Sequence, residues 1–328
     1  GGTPGAPLLT VAQPVSGEGS LAQFVLTNTG LYGAITVGVI LSVPSVAVSG
    51  TVSLLFNTTS SSQILIPNDT TTVVDETLTG AAGLVRVGGS NVSVTVLGQS
   101  VTGSVTLEQV RNAAGASVVR VGFTGVTMSL GPLTVSNGSG LFVLTSAGLA
   151  GVLTVAFAVD GGAPFALAGA LELQVNTTSQ RIVDTLQVGA GTVSLDVPAG
   201  PYLRLAGTGL ALTVLGQTLR ADVAFERVTS YGTDGVPGGT DDTTITRIAA
   251  TNVSLSLTAG TASILLTNGE ALFVLPNAGG LAGRVSGTVA VTGVPGVSLA
   301  GSLALEINTT SAAVKETVRV GSGTVSVD

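Results

Sequence analysis

Apolar and polar positions alternate along most of the chain. After Gly50, Gly169 and Gly301 it reads TVSLLFN, ALELQVN and SLALEIN. In these runs Val52, Leu54 and Phe56 alternate with other residues, as do Leu171, Leu173 and Val175, and Leu303, Leu305 and Ile307. In the latter two runs Glu172, Gln174 and Glu306 fall between them. A period of two predicts strands with these apolar residues pointing inward on a buried face and the other face more exposed. Val92, Val94 and Val96 match Leu210, Leu212 and Val214, and Val105 and Leu107 match Val223 and Phe225. The Leu-Gly-Gln that follows the first two sets predicts a tight turn. Gly and Asn punctuate segments of about eight to twelve residues, the spacing of all-β folds. No segment carries a 3.6-residue period with caps, so almost no helix is expected.

The same landmarks recur at long range. Asn-Thr-Thr-Ser starts at Asn57, Asn176 and Asn308, Phe-Val-Leu at Phe24, Phe142 and Phe273, and Thr-Val-Leu-Gly-Gln at Thr95 and Thr213. These landmarks agree on a tandem repeat whose period is about 120 in the first copy and about 130 in the second. The copies divide as 1–136, 137–267 and a partial copy, 268–328. The second copy carries an insertion over 231–244. Fainter sub-repeats within each copy, few aromatics and no linker between copies favour one elongated, continuous, solenoid-like β stack. The alternative is a string of β-sandwiches.

Composition narrows the chemistry. The 328 residues include no Cys, His or Trp and only 11 aromatics. Zinc fingers, iron–sulfur clusters, disulfide frameworks and His-dependent nucleophiles are thereby excluded. Charged residues make up 9%, for a net charge of -7, so nucleic acid is a poor partner. Gly140–Val159 is uncharged and long enough to span a bilayer, but its counterpart near Phe273 contains Pro276, Asn277 and Arg284, so no membrane span is expected. The chain begins with Gly1 and reads as a processed or excised piece of a longer polypeptide.

Glu108 and Glu226 are equivalent, as are Glu172 and Glu306, and all four read as solvated strand faces rather than catalytic carboxylates. No enzyme and no cofactor is expected. Asp234, Asp241 and Asp242 crowd into the insertion and form the one candidate for calcium, which takes oxygens from flexible loops. Tyr231 opens the same insertion and is the candidate glycan contact. Seven of 11 Asn lie in Asn-x-Ser/Thr (Asn57, Asn68, Asn91, Asn137, Asn176, Asn252 and Asn308), more than 74 Ser and Thr in 328 residues would place there by chance. They are either glycan acceptors or residues whose side chains close strands onto turn backbone.

With recurring Leu-Ala-Gly at 149–151 and 281–283, the Asn-Thr-Thr-Ser strand ends and the Thr-Val-Leu-Gly-Gln turns, the chain resembles the giant, low-charge, Gly/Thr/Val/Ala-rich tandem-repeat proteins of bacterial cell surfaces and extracellular matrices. The resemblance implies export to the cell surface or beyond it and a structural or adhesive role. The expected function is a repeat segment of an extracellular filament, stalk or matrix fibre, its partner being another copy of itself. The alternative is an adhesin-type module recognising glycan or a host surface.

Overall fold

A computed structural model of the chain describes residues 9–12, 22–43, 46–65, 78–96, 99–111, 115–130, 132–160, 165–230, 239 and 242–328. Among these the protein is all-β, without helix. The first strands are β1 (Leu9–Ala12), β2 (Ala22–Thr27), β3 (Gly30–Val43) and β4 (Val46–Asn57), followed by the short β5 (Gln63–Leu65) and β6 (Leu78–Gly80). Next come six long strands: β7 (Val85–Val96), β8 (Gln99–Arg111), β9 (Ser117–Leu130), β10 (Leu133–Thr145), β11 (Gly148–Asp160) and β12 (Phe165–Asn176). The hairpin β13 (Ile182–Val188) and β14 (Gly191–Val197) follows them. The same series then recurs as β15 (Tyr202–Val214), β16 (Gln217–Ser230), β17 (Thr243–Ala259), β18 (Ala262–Pro276), β19 (Ala282–Val294) and β20 (Val297–Asn308), with the hairpin β21 (Glu316–Val320) and β22 (Gly323–Val327).

The long strands belong to one 16-stranded sheet, and β5–β6, β13–β14 and β21–β22 are separate two-stranded sheets. The repeat is therefore a meander of six strands and one hairpin, carried by a continuous sheet rather than by sandwich domains. By contact density the chain forms two compact units. One comprises Gly1–Leu130, Val135–Gly151 and Val183–Asp196, the other Gly131–Thr134, Val152–Ile182 and Val197–Asp328. Gly140–Val159 lies in β10 and β11, and no helix among the described residues is long and apolar enough to cross a membrane.

In the second unit the pairing register sorts side chains into two faces. Leu205 pairs with Phe225, Phe225 with Ile248 and Ile248 with Phe273, while Ala206 pairs with Ala224, Ala224 with Ala249 and Ala249 with Leu272. The hairpin β21–β22 packs on the second series. Its Val318, Val320, Val325 and Val327 form one core with Ala206, Ala224, Ala249, Leu272 and Val274. Leu272 and Val274 of β18 fill the rest of the core, while three alanines give the hairpin room over β15, β16 and β17. In the first unit Gly122 plays this part, since a Cβ there would meet Val188 at 2.7 Å and Leu186 at 2.9 Å.

Mid-strand β-bulges keep each face consistent. The register shifts between Gly207 and Leu210 in β15 and between Ala250 and Val253 in β17, where Gly209 (φ 58°) and Asn252 (φ 53°) adopt left-handed backbone. One inserted residue reverses the alternation that follows. Leu203 and Leu205 thus share a face with Leu210 and Leu212 despite the change from odd to even numbers. Asn91 and Asn268 stand at equivalent shifts in β7 and β18. Asn is the common non-glycine choice there because its short polar side chain tolerates positive φ. The Leu-Gly turn after β15 is also as expected, with Leu215 at φ 51° and Gly216 at 78°, the two positive angles of a hairpin turn.

Candidate functional site

The face away from the hairpins is the surface with functional potential. In the second unit, on the hairpin side of the bulges, it is built in register by Leu203, Leu205 and Gly207 of β15 and Val223, Phe225 and Arg227 of β16. Thr246, Ile248 and Ala250 of β17 and Ala271, Phe273 and Leu275 of β18 continue it. Gly283, Val285 and Gly287 of β19 and Leu303, Leu305 and Ile307 of β20 complete it. Arg227 is its one charged residue. The exposures are high for apolar groups: Leu205 46%, Ile248 45%, Leu303 66% and Leu305 67%. In the first unit the matching positions include Val52, Val85, Val87, Val105 and Leu107, again exposed. The alternating apolar residues expected to point inward are thus on the uncovered face. The buried sheet side chains of both units, among them Ala34, Leu55, Glu108, Ala224 and Leu272, lie on the hairpin face. Alternation shows that a strand has two faces, and not which of them a distant hairpin covers.

Aromatic rings keep the open face low. A Cβ on Gly151 would lie 2.2 Å from Phe142, and one on Gly283 would lie 2.5 Å from Phe273, so each ring lies over a glycine of the next strand. Phe24 stands opposite Gly33 in the β2–β3 register. Phe24 stacks on Phe56 with centroids 5.9 Å apart, and Phe123 on Phe142 at 6.3 Å. The recurring Leu-Ala-Gly therefore supplies the glycine under the recurring phenylalanine. Beside β20, Leu266, Ala271, Val285, Gly287, Leu303 and Leu305 line an apolar groove of about 420 Å³.

Of the four carboxylates expected on solvated faces, Glu108 and Glu226 are instead drawn into ion networks under the hairpins, while Glu306 is exposed as expected and Glu172 is half-buried. Glu108, 3% exposed, accepts hydrogen bonds from Arg86 Nε at 2.6 Å and Arg120 Nη1 at 3.0 Å, and Arg120 Nε donates to Asp184 of β13 at 2.6 Å. The second unit repeats the pattern. Glu226 lies 3.2 Å from Arg247 and 3.7 Å from Arg204, and Arg247 donates to Glu316 of β21 at 2.9 Å. Burial opposes the Arg120 charge, but Asp184 and Glu108 outweigh it and raise its pKa above the ordinary value. Tyr202 donates to Glu226 at 2.8 Å, and burial followed by the adjacent Glu226 charge raises its phenol pKa well above 10. Each network ties a hairpin to strands far from it along the chain, a relation that local sequence does not display. Satisfied as they are, these carboxylates serve packing.

Asn57 and Asn176 close their strands. Each Oδ1 accepts from the backbone and hydroxyl of the Thr two residues on, at 2.7 to 2.9 Å. Each Nδ2 donates to two carbonyls, of Ser61 and Gly80 or of Gln180 and Pro198. Both amides are buried, so these two sequons are turn residues in the folded chain. Asn308 makes the same turn in an exposed setting, with Thr310 on its Oδ1. Asn91, Asn137 and Asn252 are exposed and left-handed, at φ 49°, 53° and 53°. A side-chain oxygen stabilises the bulge backbone: Ser104 Oγ accepts from Asn91 N at 3.1 Å, and Asp222 Oδ1 from Gly209 N at 2.6 Å. Asn68, Tyr231, Asp234 and Asp241 lie outside the described residues, and Asp242 stands half-buried just before β17. Glu172 bonds Gln174, and Glu306 pairs with Arg284 at 3.6 Å on the surface. Comparison of the chain with protein-family models, with curated proteins and with solved structures finds no match.

Proposed function

We propose that this chain is a structural repeat segment of an extracellular filament, stalk or matrix fibre that self-assembles through β-sheet packing. The observation that supports this reading is the open face: large apolar side chains in register across successive strands, with hardly a charge among them. Apolar surface of that extent on a soluble protein is normally covered by a partner. The repeat returns the same surface in each copy, as a fibre requires. Burial of the Glu108 ion pairs and of the Asn57 and Asn176 turns supports a packing role for these repeated positions.

The test is electron microscopy of the purified chain together with light scattering over a concentration series. Filaments or larger assemblies growing with concentration are expected. A chain that stays monomeric at the highest concentration would remove the reading.

A further inference from the structure

Resting on the self-assembly just proposed, we infer that the open face of the β15–β20 sheet is the contact surface, and that its occupant is the same face of a second copy of this chain. Three observations select that occupant. The first is area. Ten large apolar side chains on this part of the face are 36–67% exposed, and together they offer on the order of 800 Å², the share each partner contributes to a standard interface. The second is charge. With Arg227 alone on the face, two copies can meet without burying like charges against each other, and a shift of register places that guanidinium at the rim. The third is the molecule's own solution for its other face. There the sheet is covered by a second β layer presenting Val318, Val320, Val325 and Val327, so this backbone already accepts sheet-on-sheet packing of aliphatic rows.

The surface details fit a flat β partner. Phe273 lies down over Gly283 instead of projecting, which lowers the centre of the face. Leu303 and Leu305 stand proud at one side, next to the groove of about 420 Å³. In a two-fold pairing the Leu303 and Leu305 pair of one copy fills the groove of the other, and the sheets stack about 10 Å apart.

The experiment is sedimentation of the whole chain, wild type, L205K/L305K and S326K, with circular dichroism on each. Ser326 lies on the outer side of the hairpin, so its variant controls for added charge. Wild type and S326K are expected to associate, and L205K/L305K to keep its β spectrum while its association weakens at least tenfold. Association of the L205K/L305K variant equal to wild type would overturn the face assignment and leave self-assembly standing, with the contact elsewhere. A monomeric wild type would overturn both. A wild type that is monomeric alone but floats with phosphatidylcholine vesicles would assign the face to lipid and overturn the second copy. If L205K/L305K loses its β spectrum, L205S/L305S replaces it, judged by the same outcomes.

Discussion

The two faces of the β15–β20 sheet are made from the same strands and reverse the usual distribution of residue types. The face under the hairpin holds three alanines and an Arg-Glu-Arg chain, with Leu272 and Val274 as its large apolar groups. The face open to solvent holds leucines, valines, isoleucine and phenylalanine. The hairpin is accommodated by removing bulk from the sheet and adding charge-assisted bonds, while apolar bulk is kept on the other side. Bulk in place of Ala206, Ala224 or Ala249 would meet the hairpin valines packed on them. Bulk on the open face is left uncovered by the described residues, and this is the observation behind the proposed contact with a second copy.

The contrast between the faces is broken most strongly at a hairpin. Leu195→Ala, at a 1% exposed position of β14, is expected to cost about 3 kcal/mol in urea unfolding through lost burial and a residual cavity. Glu108→Gln leaves Arg86 and Arg120 without their shared carboxylate. Because both arginines retain partial exposure, a cost of about 2 kcal/mol is expected, below the range for fully buried pairs. The same denaturation assay checks it, and an unchanged midpoint would show that the network contributes nothing. Asn252→Ala tests the bulge that keeps the faces in phase. Forcing an alanine into left-handed backbone is expected to cost about 1 kcal/mol, while Asn252→Gly should cost much less.

Tyr202 gives a pH readout of the hairpin face. Its folded pKa is raised above the ordinary 10.0, so the folded state holds the proton more tightly than the unfolded one. Stability is then fully present below about pH 10 and is lost as pH rises beyond it. Unfolding curves between pH 8 and 11 should show a decline above pH 10 that is shallower in Tyr202→Phe, which also loses about 1 kcal/mol near neutrality with the Glu226 bond. Parallel declines in the two proteins would mean that the phenol is not held by the fold. The smallest effect belongs to the open face. Leu305→Ser at low protein concentration is expected to change unfolding by under about 0.5 kcal/mol, since that side chain is already 67% exposed.

All-β structure and the repeat were readable because strand alternation and recurring turns are local signals. Asn-Thr-Thr-Ser carried its own chemistry: the side chain of Asn57 and the hydroxyl two residues later bond within four positions. What could not be read depends on parity and distance. Gly209 and Asn252 each insert one residue, so a face assigned by counting from Tyr202 or Thr246 is inverted beyond the bulge. Glu108 looked solvated because its arginines lie on neighbouring strands and its cover, Asp184, belongs to a hairpin much later in the chain. Nothing near Leu303 or Leu305 indicates that the hairpin covers the opposite side. The candidate surface was thus visible as an apolar row, while its exposure emerged only from the fold.

Whether the open face is the contact surface can be read by cysteine labelling, because the natural chain has no Cys and each introduced thiol reports alone. Leu305→Cys on the open face and Ser326→Cys on the outer side of the hairpin are treated with maleimide, first dilute and then after assembly. Both are expected to react in the dilute chain, and assembly is expected to protect the thiol at position 305 while leaving position 326 reactive. Equal reactivity of the two in assembled material would contradict the open face as the contact.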